Sequence, residues 1–75
     1  MGNNATVYVR LLNEATDVWR PVPARALQDG TFEILELEGG TPEDEEWEFQ
    51  PHSRVICSEK LFSDGERAPV ATSLV

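Results

Sequence analysis

The chain has 75 residues, of which 40% are hydrophobic and 27% charged, a balance that excludes general disorder and a length that excludes a second core. Fourteen acidic residues against six basic ones give a net charge of −8, and the single cysteine, Cys57, excludes an internal disulfide. No apolar run nears the ~20 residues needed to cross a bilayer, and no basic start precedes an apolar run in the manner of a signal peptide, so the expectation is one soluble cytoplasmic domain without membrane contact.

In chain order, residues 1–5 read as a flexible polar N-terminus. From Thr6 to Leu12 the alternation of Val7, Val9 and Leu11 against Tyr8, Arg10 and Leu12 predicts a first strand. Val18 to Leu27 follows a polar connector and is broken by Pro21 and Pro23. Two prolines spaced by two leave N–H gaps on one side of a strand, which suits an edge or a bend and forbids a helix.

Asp29-Gly30 is a turn signal, since glycine there supplies the positive φ that a tight hairpin needs. It joins the second strand to a third from Thr31 to Glu36, closed by Gly39, Gly40 and Pro42. Trp47 and Phe49 flank Glu48 with the period of a fourth strand, and Arg54 to Ser58 reads as a fifth. A second Asp-Gly turn at Asp64-Gly65 returns the chain through Ala68 and Val70 as a sixth short strand, with Pro69 at an edge. The working domain spans residues 6–70, and residues 71–75 read as a flexible tail.

No window carries a helical apolar stripe over ten residues free of proline. Short strands with frequent turn signals predict an all-β domain, and at this length a small five- to six-stranded SH3-like barrel buries the most apolar surface, with an OB-like barrel as the alternative. Phe32, Phe49 and Phe62 are expected in its core. Trp19 and Trp47 each begin a strand beside charged residues and are expected to be half exposed, with Tyr8 partly open on the face opposite Val7 and Val9.

The runs VYVRLLNEATDVWRPV (Val7 to Val22) and EDEEWEFQPHSRVIC (Glu43 to Cys57), with Asp29-Gly30 between them, resemble a set of small uncharacterised bacterial proteins that look like SH3-like β-barrels. The likeness covers most of the chain and implies the fold, with no activity and no catalytic residues attached. That pattern carries glycine where Ala15 and His52 stand here. The departure implies that neither connector requires a left-handed backbone, and that His52 is not a shared functional residue.

Charge placement narrows function further. Between Gln28 and Gln50 lie nine carboxylates and no Lys or Arg, whereas the rest of the chain has five acids and six bases. Phosphate backbones are held through Lys and Arg, so this middle repels nucleic acid, and direct binding to DNA or RNA is not expected. His52 and Cys57 are too few for a zinc site, and the Glu-rich run 43–48 lacks the alternating oxygen ligands and internal glycine of a calcium loop. The expectation is no metal and no cofactor.

Cys57 alternates with Val55 and reads as a buried thiol rather than a nucleophile. No phosphate-cradling loop or nucleophile elbow is present, so the protein is not expected to be an enzyme. Exposed aromatic rings flanked by carboxylates instead suit a basic or proline-containing segment. The expected partner-binding residues are Tyr8, Trp19, Glu43, Asp44, Glu45, Glu46, Trp47 and Glu48, and the expected partner is a basic protein or peptide.

Two other readings stand beside this one: an inhibitor or immunity-like protein whose carboxylates imitate nucleic-acid phosphates, and a metal-assisted or acid-base enzyme. The alternative to any binding role is that the acids merely keep a thin-cored chain soluble and its edge strands unpaired. The chain is expected to be a monomer, or a weak homodimer through its proline-marked edge strands.

Overall fold

Five strands form from the predicted alternations: β1 (Asn4–Arg10), β2 (Trp19–Ala26), β3 (Phe32–Ile34), β4 (Arg54–Leu61) and β5 (Arg67–Leu74). The computed structural model describes residues 4–16 and 18–75, and among them there is no helix, and so none long and apolar enough to cross a membrane. Each strand pairs antiparallel with the next, and the sheet closes as a barrel in the order β1-β2-β3-β4-β5. Four reversals leave β5 running parallel to β1, and the two meet at Tyr8 and Val70.

The residue parity read from the sequence decides what lies inside. Val7 and Val9 of β1, Val22 and Ala24 of β2, Ile34 of β3 and Val55 of β4 are all buried and pack together. Leu11, Trp47, Phe49 and Ala71 complete that cluster, with Phe32 and Cys57 partly buried against it. Burial pushes the Cys57 thiol above its ordinary pKa, which leaves it protonated at neutral pH.

Both Asp-Gly signals make the same three-residue loop. Leu27 N–H donates to the Thr31 carbonyl and Gly30 N–H to that of Leu27, while Phe62 N–H donates to the Glu66 carbonyl and Gly65 N–H to that of Phe62. Only the glycines are left-handed, at φ 87° and 88°, and the preceding aspartates instead cap the loops by accepting from the Thr31 and Glu66 N–H groups. This is a hairpin with a glycine bulge.

The prolines obey the ladder. Leu11 N–H donates to the Val18 carbonyl, and Leu35 N–H to that of Pro23, so even-numbered residues of β2 bond towards β1 and odd ones towards β3. Pro21 therefore turns its missing N–H to the side where β3 has already ended. Phe62 bonds to Glu66 across the second hairpin, which by the same alternation turns Pro69 away from β4.

Four expectations change. Trp47 and Phe49 do not form a strand: Trp47 makes one isolated antiparallel bridge to Leu11, and the pairing with the β1 edge is confined to that position. The strands expected fifth and sixth are β4 and β5, and β5 continues to Leu74, so residues 71–74 belong to the sheet rather than to a tail. Asn4 and Ala5 likewise pair with Arg25 and Ala24, while residues 1–3 lie outside the described residues. His52, fourth, does adopt a left-handed backbone, at φ 72°, since its N–H must turn back to the Ile34 carbonyl.

Candidate functional site

The expected site residues separate into two places. One is the barrel end. Even-numbered residues of β1 turn their backbone groups towards β5, but β5 meets β1 at Val70 only, and beyond it the segment 46–48 takes the vacated edge. Leu12 N–H donates to the Glu46 carbonyl and Glu48 N–H to that of Arg10. The Asn13 side chain fixes the approach, donating to the Asp44 carbonyl and accepting from Glu46 N–H.

This docking carries Trp47 into the core, where it is 1% exposed and the largest fully buried side chain. Its indole N–H donates to Glu45 Oε1 at 3.0 Å. Arg20 has the inward parity of Val22 and Ala24, and its Nε lies 3.6 Å from the same oxygen. That Nε is buried with no hydrogen-bond partner, so the Glu45 charge is what balances it. Trp47 is therefore not a contact residue, contrary to the expectation: its parity with Phe49 turns it inward, and the barrel end needs a large plug. Glu45 is likewise committed to Arg20 and Trp47. Glu43, Asp44, Glu46 and Glu48 remain exposed.

The other place is a groove of about 560 Å³ on the outside of the barrel. Tyr8 and Trp19 have outward parity and sit diagonally across the β1–β2 pair, because Tyr8 is opposite Pro21 and Trp19 opposite Arg10. Phe62, at the tip of the β4–β5 hairpin, packs over them. Its ring centroid is 5.0 Å from that of Tyr8, tilted by 45°, and 6.5 Å from that of Trp19 in an edge-on arrangement. All three rings are half-buried. Phe62 thus belongs to the surface cluster and not to the core, since the hairpin extends past the point where β5 meets β1.

Asp64, Glu66 and Arg67 line the same groove. Arg67 Nη1 is 3.3 Å from Glu59 Oε1, whereas Lys60 Nζ lies 5.8 Å from the ring centroids of both Trp19 and Phe62. Asp17, expected to flank Trp19, lies outside the described residues. Phe62, Lys60, Asp64, Glu66 and Arg67 were missed in the sequence. The available signal was the second Asp-Gly turn, which places Phe62 at a hairpin tip, but the direction in which that hairpin folds is a long-range property.

The two places are neighbours through β1. Arg10 is opposite Trp19 on one side and bonded to Glu48 on the other, so the acidic segment lies two strand spacings from the groove, about 10 Å. That is close to the screening length of about 8 Å at physiological salt. No three of His, Cys, Asp and Glu among the described residues group so as to hold a metal ion. His52 pairs with Glu36 at 3.2 Å, both exposed, away from the groove. Comparison with family models, curated proteins and solved structures finds no match for this chain.

Proposed function

We propose that the protein is a non-enzymatic interaction module, an SH3-like barrel whose outer groove binds a basic, proline-containing segment of another protein. The observation that carries this reading is the placement of three rings, Tyr8 and Trp19 each against Phe62, on the outside of a chain with a thin core. Tyr8, Trp19 and Phe62 hold apolar surface at the solvent, where each ring forgoes part of a burial worth about 2 kcal/mol. The sequential strand order favours an SH3-like barrel over the Greek-key order of an OB-fold.

Ring faces open to solvent accept the flat faces of proline and guanidinium groups. Asp64 and Glu66 line the groove, the exposed carboxylates of the 43–48 segment stand two strand spacings from Trp19, and the net charge of −8 attracts a cation from a distance. Rings supply the contact and carboxylates the steering.

Titration calorimetry with an acetylated, amidated peptide of alternating arginine and proline tests the reading. Trp19→Ala is expected to weaken binding at least tenfold. Replacing Glu43, Asp44, Glu46 and Glu48 by their amides is expected to slow association and flatten its salt dependence. Affinity that ignores both Trp19 and ionic strength contradicts the proposal.

A further inference from the structure

Lys60 is the unusual cation of this surface. The chain has fourteen carboxylates, and three of its arginines pair with them, Arg67 with Glu59, Arg20 with Glu45 and Arg25 with Glu33, though Arg54 makes no such pair among the described residues. Lys60 makes no ion pair among the described residues. Its ammonium instead lies at one distance, 5.8 Å, from the Trp19 and the Phe62 ring centroids, within the range where a ring face attracts a cation. The two rings meet nearly edge-on, at 85°, so a single charge can address both.

We propose that the Trp19–Phe62 corner is a cation subsite whose resident occupant is the protein's own Lys60, and that a guanidinium of the partner takes its place. This rests on the groove being the partner site, and it goes further by naming the atom group that is recognised and the side chain that competes for it. The exchange is favourable for chemical reasons. An ammonium is compact and strongly hydrated, while a guanidinium is planar, more weakly hydrated and stacks on aromatic faces. Displaced, the flexible Lys60 stem swings its ammonium into water at little cost, and Glu66 and Asp64 stand in the same groove to receive the donors of the incoming group.

Competition has a measurable signature. A tethered occupant that fills the corner most of the time reduces apparent affinity by the fraction of time the corner is vacant. Emptying it should therefore tighten binding, by more than the loss of one positive charge alone. Lys60→Gln removes the charge and the occupant; Arg67→Gln removes an equal charge from a residue that lines the groove and leaves the occupant in place.

The test has two arms on the intact protein. In the free protein, the Lys60 ε-methylene protons should resonate upfield from ring currents and return to ordinary positions in Trp19→Ala; ordinary positions in the wild type overturn the proposal. In the second arm, the arginine-proline peptide is titrated while the two indole N–H signals are followed separately, Trp47 serving as a buried internal reference. K60Q is expected to bind about fivefold more tightly than R67Q. Binding that moves Trp19 but is equal in the two variants overturns the competition and leaves the groove reading intact, whereas no movement of Trp19 in any variant overturns both.

Discussion

Trp19 and Trp47 stand in similar sequence, each flanked by charged residues at the start of a strand-like run, yet one lines an open groove and the other plugs the barrel. Strand parity and edge occupancy separate them. Trp19 has the odd parity of β2, opposite to buried Val22 and Ala24, and faces outward beside Tyr8. Trp47 shares parity with Phe49 on a segment that the β1 edge pulls across the barrel end. The lesson is that charge beside an indole does not measure its exposure; here Glu45 sits beside Trp47 because it binds the buried indole from within.

Substitution at the two indoles is the sharpest way to break this contrast. Trp47→Ala should cost about 4 kcal/mol, on the order of the total stability of a chain this size, and should leave the protein largely unfolded by circular dichroism. Trp19→Ala should cost about 1 kcal/mol while abolishing most peptide binding. Equal urea midpoints for the two variants would contradict the division.

A smaller effect tests what seats the plug. Glu45→Ala orphans the Trp47 indole N–H and the Arg20 Nε together and should cost about 2 kcal/mol, whereas Glu45→Gln, which keeps an acceptor, should cost about half that. Identical denaturation midpoints for the two would remove the role given to the hydrogen bond between Glu45 and the indole.

His52 gives the next effect. At φ 72° glycine is the least strained residue and a β-branched one the most, so melting temperatures should run Gly above His above Val, with about 1–2 kcal/mol between the extremes. The exposed Glu36 pair lost in His52→Gly offsets little of this. Valine melting as high as glycine would be inconsistent with the backbone assigned to this turn.

The smallest effect is acid-linked. The Thr31 side-chain hydroxyl, then its backbone N–H, holds the Asp29 carboxyl below its ordinary value of 3.8, with the hydroxyl 2.5 Å away. A lowered folded-state pKa means the unfolded chain binds the proton more readily, so the contribution is present above pH 3.8 and is lost as pH falls through the folded-state value. Thr31→Ala should move the Asp29 midpoint up in a carbon-detected NMR titration; an unmoved midpoint would refute that cause.

Much of the barrel was legible because strand parity is local. The alternations in β1 and β2 and both Asp-Gly loops follow from a few adjacent residues, and the alternations predict the face that is buried, whereas the edges read from the prolines are absent because β2 and β5 pair on both sides of a closed barrel. The site was legible only in part. Tyr8 and Trp19 could be placed outside from parity, but Trp47 could not be placed inside, because its burial follows from β5 leaving the β1 edge after Val70. Phe62 and Lys60 were invisible as site residues for a related reason: they reach Trp19 through the fold of a distant hairpin. The left-handed turn at His52 was missed because its cause, a hydrogen bond to Ile34, spans the chain between two strands.

The most direct test of the central division adds a soluble gadolinium chelate to the free protein and compares the broadening of the two indole N–H signals. Trp19 is expected to be broadened strongly and Trp47 to be spared until the protein is denatured. Equal broadening of both, or protection of Trp19 with Trp47 broadened, would contradict it.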